Sequence, residues 1–152
     1  MVMKLDRQKI DSSMFLVLRS IFHYERKIAA QFGLDFVEIY AMQFLRYHPA
    51  ARVTDLSTEL ALPMFTISRL VQRLVANGYV SRQKDTVDKR NVHLTLEPEG
   101  LKVLIQIEDK SFEQVRQNAS KVTDLEMEEI VHSANKLHVI LGVTDQVMPK
   151  SQ

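Results

Sequence analysis

The sequence predicts a mainly α fold with a small β-wing, and three observations lead to this fold class. Apolar residues recur at three- and four-residue steps near both ends of the chain, which is the period of an amphipathic helix. Between these stretches, two shorter helical segments are separated by a turn around Pro63. Two alternating segments joined by a polar connection follow, as is typical of a β-hairpin. This order is that of a winged helix–turn–helix with long helices on either side.

The first predicted helix covers about residues 6–31, and Gly33 is expected to end it. Because a long apolar stripe near a terminus often packs on a second chain, this helix is a candidate for a dimer contact. Its stripe consists of Ile10, Met14, Val17, Ile21, Tyr24 and Ile28, widened by Phe15, Leu18 and Phe22.

The second helix is predicted from its start and stop signals. Asp35 and Glu38 have the spacing of a capping box, and the helix is expected to stop before Pro49. An extended segment at 51–53 and a brief helix at 54–60 follow.

The next helix is the predicted recognition helix, which extends to about residue 77. Pro63 suits its first turn, because proline has no amide proton and a fixed φ. Asn77 and Gly78 are expected to end it.

Two strands are predicted at residues 79–84 and 90–96, with an exposed tip at 85–89. The second strand has the period-two pattern of a half-buried strand, since apolar residues alternate with Asn91, His93 and Thr95.

Two further helices are predicted, one starting near Pro98 and one starting at Thr123 or Asp124 and ending at Gly142. Residues 148–152 are expected to be frayed.

Charge is distributed unevenly although the net charge is only +1. From Arg69 to His93 there are six basic and two acidic residues, and from Glu97 to Ile130 four basic and nine acidic residues. A positive middle segment in a nearly neutral protein favours a polyanionic partner.

Composition excludes several classes of protein. The absence of cysteine excludes disulfides and thiol chemistry and favours a reducing cytoplasm. No apolar run approaches the ~20 residues needed to cross a bilayer, and the N-terminus lacks the apolar core of a signal peptide. No membrane partner is therefore expected. No phosphate loop, paired carboxylates or nucleophile–base arrangement is visible, so the chain is not expected to be an enzyme.

The recognition helix has a predicted buried stripe around Ile67. The opposite face carries residue types that commonly contact bases in the DNA major groove. Arg and Gln can each bridge two base acceptors or donors in the major groove, and Phe can contact a thymine methyl group. The predicted base readers are Phe65, Ser68, Arg69 and Gln72, and the predicted phosphate contacts are Thr66, Arg73, Arg82 and Lys84. An ordinary solvated helix face would carry similar residues.

The wing strengthens the DNA interpretation. Lys89 and Arg90 stand at the tip, where a cation is attracted by the negative potential of a minor groove. Asp88 could orient the Arg90 guanidinium through an ion pair. By itself the tip could be a charged turn that keeps the protein soluble, but helix and wing in this order favour DNA binding.

Residues 77–100 resemble the MarR family of bacterial transcription regulators. The matching positions are Gly78, Arg82, Asp88, Arg90, Leu96 and Gly100. The sequence departs from the family pattern at Glu97, where a hydroxyl residue is usual, and at the less polar entry to the recognition helix at residues 62–64.

The resemblance implies a homodimer that binds double-stranded DNA at a pseudo-palindromic operator, acting as a repressor. It divides the chain into an N-terminal dimerisation helix (1–34), a DNA-binding domain (35–97) and C-terminal dimerisation helices (98–146). It also implies release by a small aromatic or anionic effector rather than a cofactor. The alternative is a winged-helix protein-interaction module without nucleic-acid binding.

The sequence also contains candidate residues for two other kinds of site. Residues Phe22, Tyr24, Tyr40 and Phe44 could line an effector pocket. His23 with Glu25, or His132 with His138, could contribute to a metal site, although solvated histidines are far more common and no metal is predicted.

Overall fold

The computed structural model describes residues 5–143, and its elements follow the predicted order. In this part of the chain the elements are α1 (Arg7–Gln31), α2 (Phe36–Tyr47), α3 (Val53–Leu60), α4 (Met64–Ala76), β1 (Val80–Lys84), β2 (Val92–Leu96), α5 (Pro98–Ala119) and α6 (Asp124–Leu141). The predicted frayed segment 148–152 lies outside the described residues. No helix between residues 5 and 143 is both long and apolar enough to cross a bilayer.

Most boundaries lie within one residue of the predictions, and Val53, predicted to be extended, is the first residue of α3. The backbone explains two further differences, at Pro63 and at the start of β2. Pro63 is an extended N-cap residue with φ −60° and ψ 148°, so it precedes α4 instead of lying in its first turn. β2 begins at Val92 rather than residue 90 because the turn continues further. The N–H of Asn91 donates to the carbonyl oxygen of Asp88 at 2.9 Å, which keeps these residues in the turn.

One hydrophobic core joins the helix–turn–helix to the hairpin and to the first half of α5. Its fully buried members come from α1, α2, α3, α4, both strands and α5, and the largest include Ile28, Met42, Leu45, Leu56, Ile67, Leu74, Leu94 and Leu104. Because α4 contributes a whole stripe to this core, its opposite face is directed outward.

The hairpin and α5 approach each other closely at a glycine. The strands are antiparallel, with Val80 opposite Leu96, and α5 begins just after the second strand. A β-carbon on Gly100 would overlap the carbonyl oxygen of Tyr79 and lie 2.8 Å from Cδ1 of Leu96. The N–H of Glu97 donates to the same carbonyl at 2.9 Å, so this oxygen is fixed in place. Gly100 is therefore required by packing.

The outer helices leave much apolar surface uncovered in the single chain. Ile28 and Ala29 are the buried residues of α1, and none of the residues of α6 is buried. The exposed apolar side chains of these two helices include Phe15, Leu18, Ile130 and Ile140. Exposed large apolar side chains in this number are typical of an interaction face, as expected for the predicted dimer contact.

Replacing Gly100 by alanine is expected to lower the free energy of unfolding by ~1–3 kcal/mol, because the added carbon must displace α5 from the hairpin. The measurement is thermal unfolding followed by circular dichroism. Glu99→Ala, an exposed change one residue away, is the matched control and should have little effect. An unchanged Tm for Gly100→Ala would show that this contact is not close.

Candidate nucleic-acid interface

The two faces of α4 are arranged as the sequence predicted. The residues Ile67, Leu70, Val71 and Leu74 are buried in the core. The opposite face is open to solvent, and its exposed members are Phe65, Ser68, Arg69, Gln72 and Arg73, while Thr66 is half-buried. The side chain of Phe65 is 66% exposed, an unusual position for a large apolar ring.

The turn between α3 and α4 sets the direction in which this face points. Ala61 ends α3 in the left-handed region with φ 50°, which is uncommon for a residue with a side chain. The hydroxyl of Ser57 donates to the carbonyl oxygen of Leu62 at 2.6 Å and closes the turn.

A buried carboxylate attaches α4 to the start of α2. Glu38 is 4% exposed, and one of its oxygens accepts a hydrogen bond from the N–H of Asp35 at 2.8 Å, as expected for a capping box. Its other oxygen lies 2.9 Å from Nε of Arg73. Arg73 was predicted only as a phosphate contact, but it also positions the recognition helix. This role could not be predicted from the sequence pattern, because 35 positions separate the two partners.

The first strand of the wing carries basic residues next to α4. Arg82 and Lys84 are both exposed. Nη2 of Arg82 donates to the carbonyl oxygen of Ser68 at 3.2 Å, so this predicted phosphate contact also connects the wing to the recognition helix.

Asp88 shapes the wing tip through the backbone. One of its carboxylate oxygens accepts a hydrogen bond from the N–H of Arg90 at 3.0 Å, and the other accepts from the side-chain amide of Asn91 at 3.3 Å. The predicted ion pair between Asp88 and the Arg90 guanidinium is therefore wrong. The carboxylate holds the turn instead, and the side chains of Lys89 and Arg90 remain exposed.

The base of the wing is held by a histidine that contacts two acceptors. Nδ1 of His93 lies 2.8 Å from the carbonyl oxygen of Ala50, and Nε2 lies 3.2 Å from a carboxylate oxygen of Asp85. Because neither partner can donate when Asp85 is ionised, both ring nitrogens need a proton, and the geometry favours the imidazolium. Hydrogen bonds to Ala50 and then to Asp85 raise the pKa of His93. The N–H of Val87, followed by His93, lowers the pKa of Asp85.

The wing, α4 and the start of α3 enclose a basic recess of about 400 Å³. Its cationic lining residues are Arg52, Arg82, Lys84 and Arg90. Arg52 was not predicted to belong to the site, because a single arginine in a short extended segment has no distinguishing pattern. It is the N-cap residue of α3, and its N–H donates to the carboxylate of Asp55 at 2.7 Å.

The residues considered for an effector pocket do not all meet. Tyr40 lines a cavity of about 690 Å³ between α1, α2 and α5. Phe22 packs edge-on against Phe36, another residue of the cavity wall. Tyr24 lines a different cavity, and Phe44 is buried in the core.

The metal-site alternative gains no support from the described part of the chain. Within residues 5–143, no three or more His, Asp or Glu side chains are grouped to hold a metal ion. The pairs His23 with Glu25 and His132 with His138 therefore do not belong to such a group there.

Comparison with known proteins identifies similar chains. Residues 37–92 match the sequence model of the MarR family. An uncharacterized HTH-type transcriptional regulator of Bacillus subtilis (strain 168), YsmB, is 29% identical over 112 residues, which cover 74% of this chain and 77% of that protein. A MarR family protein from Bacillus stearothermophilus has a TM-score of 0.78 at 19% identity, with 91% of this chain and 99% of that chain covered.

Wild-type MarR from E. coli in its apo form has a TM-score of 0.74 at 16% identity, with 90% of this chain and 98% of that chain covered. Both structural likenesses extend beyond the winged domain into the flanking helices, because they cover nearly the whole chain. The predicted fold class is confirmed.

Arg73→Ala is expected to lower the free energy of unfolding by ~1–2 kcal/mol, because it leaves the buried Glu38 carboxylate with a single partner. Arg69→Ala removes an arginine from the exposed face of the same helix and should change this energy by less than ~0.5 kcal/mol. Urea unfolding measures both. Equal stability of the two variants would contradict the positioning role of Arg73.

The pH dependence of the wing follows from the shifted pKa values of His93 and Asp85. A raised pKa in the folded chain means that the contribution of His93 to stability is complete below its ordinary pKa of about 6.5. It is lost as the pH rises through the raised value. Asp85 has a lowered pKa, so its contribution is complete above about pH 3.9 and is lost as the pH falls through its folded value. The pair therefore stabilises the wing most between these two limits.

NMR titration of the His93 ring tests this assignment. We expect a pKa above the ordinary value, and a lower one in Asp85→Asn because the ring loses its anionic partner. Asp88→Asn is the control, since that carboxylate contacts Arg90 and Asn91 instead. A His93 pKa that is the same in Asp85→Asn and in the parent chain would refute the contact.

Proposed function

Because this chain belongs to the MarR family of winged helix–turn–helix regulators, we propose that it binds a pseudo-palindromic duplex operator as a homodimer and represses transcription. The observation that carries the proposal is a basic recess beside the open face of α4, to which that face contributes Ser68 and which Arg52 and the basic residues of the wing also line. A duplex presents phosphates on both sides of a groove, and a cationic recess beside an open helix face complements it. The protein would act by binding rather than by catalysis, in the cytoplasm.

The proposed contacts divide into base reading and positioning. Phe65, Ser68, Arg69 and Gln72 would enter the major groove, because they project from the side of α4 opposite the core. Phosphate contacts would come from Thr66, Arg73, Arg82 and Lys84, with Arg52 added from the recess. Lys89 and Arg90 would reach the minor groove, on a tip held by Asp88.

The dimer would be built from the apolar surfaces of α1, α5 and α6. Large side chains such as Phe15, Val139 and Ile140 are 66%, 68% and 80% exposed in the single chain. Burying them against a second copy removes this surface from water. The two recognition helices of the dimer would then address half-sites about one helical turn apart.

Release by a small effector would use the cavity between α1, α2 and α5. Tyr40 in the cavity wall donates a hydrogen bond to Glu59 of α3 at 2.5 Å, so one residue contacts both the cavity and the helix–turn–helix. A ligand that moves Tyr40 would change the position of α3 relative to α2. This shift would change the angle between the two recognition helices of the dimer, and the dimer would then fit the DNA less well.

Selection of random duplexes on the purified chain, followed by binding measurements on the enriched sequence, tests the function. We expect two chains per duplex in analytical ultracentrifugation. Affinity should fall steeply with salt, with a log–log slope of about −0.9 per neutralised phosphate. Arg69→Ala should cost ~1–3 kcal/mol and relax the preference at one base position, because Arg can bridge two acceptors on guanine. Arg90→Ala should weaken binding to most sequences alike.

Arg116→Ala is the matched control, since this arginine pairs with Glu113 on α5 outside the proposed interface. If no sequence is enriched and binding to duplexes is weak and independent of salt, the protein-interaction alternative is favoured. If Arg69→Ala and Arg90→Ala bind like the parent chain, the contacts are assigned wrongly.

A further inference from the structure

We propose that the cavity between α1, α2 and α5 binds a compact apolar or aromatic amine, so that the effector is a cationic hydrogen-bond donor rather than an anion. This inference rests on the proposed function, because it names the ligand class of the effector site. The shape of the cavity, its charge and one buried acceptor atom support this ligand class.

The cavity has the size and the walls of a small-molecule site. Its volume of about 690 Å³ lies within the ~300–1,000 Å³ typical of such sites. Ile28, Ile39 and Ile107 form a buried apolar floor, and the rings of Phe36 and Phe112 stand at the sides. An apolar body of one or two rings would therefore find complementary surface.

The charge of the cavity opposes an anion. Two of its lining residues, Glu25 and Glu108, are acidic, and none of those identified in its wall is Lys, Arg or His. Glu108 is paired with Arg46, with Nη1 to Oε1 at 2.7 Å, but within residues 5–143 Glu25 has no ion-pair partner. A carboxylate ligand would be desolvated beside a like charge, whereas an ammonium group would gain an opposite one.

A buried amide oxygen also calls for a donor. Nε2 of Gln43 donates to Oε1 of Glu108 at 3.0 Å, and an ionised carboxylate can only accept, so the orientation of the Gln43 amide is determined. Its oxygen Oε1 is then buried without a hydrogen-bond partner in the described chain. A buried acceptor without a partner costs free energy. Because this oxygen has almost no accessible surface, a donor on the ligand would remove that cost by drawing the Gln43 side chain toward the cavity.

The hydroxyl of Tyr40, which could otherwise serve an anion, is already engaged. It donates to Glu59 at 2.5 Å. Burial, together with that hydrogen bond and the charge of Glu59, raises the pKa of Tyr40 to about 12, so the phenol keeps its proton. The cavity thus presents acceptors and negative charge, and its nearest phenolic donor is directed toward α3.

Isothermal titration of the full chain with three probes of one shape tests the ligand class: 4-phenylbutylamine, 4-phenylbutan-1-ol and 4-phenylbutyrate. We expect the amine to bind at least about tenfold more tightly than the carboxylate, with the alcohol between them, because hydrogen bonds to charged groups are the stronger ones. Equal or tighter binding of the carboxylate would overturn the inference, as would the absence of binding by all three probes.

Variants of the cavity wall locate the site. Glu25→Gln should weaken binding of the amine severalfold and reduce the difference in affinity between the amine and the carboxylate. Glu99→Gln, the same change on an exposed part of α5, should have neither effect. Gln43→Met, which retains the side-chain volume but removes the acceptor, should weaken binding of both the amine and the alcohol. Circular dichroism confirms that each variant is folded. If neither wall variant affects binding, the amine does not occupy this cavity.

A binding assay with the selected duplex separates this inference from the proposed function. Loss of DNA affinity on adding the amine supports both. If the chain binds its duplex but prefers the carboxylate, the ligand class is wrong and the regulator stands. If the chain prefers the amine but binds no duplex, the cavity is a ligand site and the proposed function fails.

Discussion

The position of the recognition helix depends on the buried carboxylate of Glu38. A carboxylate removed from water requires strong partners, and Glu38 has two, the N–H of Asp35 and the guanidinium of Arg73. One partner begins α2 and the other lies on α4, so the same group both caps one helix and sets the angle of another. Burial of the apolar stripe stabilises the packing of α4 but does not by itself orient the helix. The ion pair joins two defined atoms and therefore also restrains the orientation of α4. Together with the buried stripe of α4 and the turn after α3, this ion pair determines the direction of the open face of α4.

Two aspartates hold the backbone of the wing tip in place, and the basic side chains of the tip remain exposed. The carboxylates of Asp85 and Asp88 accept hydrogen bonds mainly from backbone N–H groups of the tip and from His93. The side chains of Lys89 and Arg90 are exposed. Acidic residues in a basic segment are therefore consistent with a phosphate-binding surface. The cavity between α1, α2 and α5 is different in charge, because its wall is mostly apolar and carries two glutamates. The basic recess and the cavity between α1, α2 and α5 thus differ in the charge of the ligands they suit, which is how one chain could bind both a polyanion and an amine.

The local features of the fold could be predicted because they depend on neighbours in the sequence. The capping box at Asp35, the buried stripe around Ile67 and the order of the elements are confirmed. The boundaries at Pro63 and Val92 were misplaced by one or two residues, because Pro63 adopts an extended N-cap conformation and the hydrogen bond from Asn91 to Asp88 prolongs the turn. At the candidate site, the exposed face of α4 and the basic wing were expected. Arg52 was missed, and the partner of Asp88 was assigned wrongly.

The sequence by itself determined which residues are helical, which face of α4 is buried and which family the chain resembles, since periodicity and turn chemistry act over a few positions. Only the tertiary structure decided which side chains meet across the fold. The pairing of Arg73 with Glu38, the addition of Arg52 to the basic recess and the unsatisfied oxygen of Gln43 all depend on helix angles. Those angles are set by core packing among distant segments, and a pattern of neighbouring residues carries no information about a contact that such packing creates.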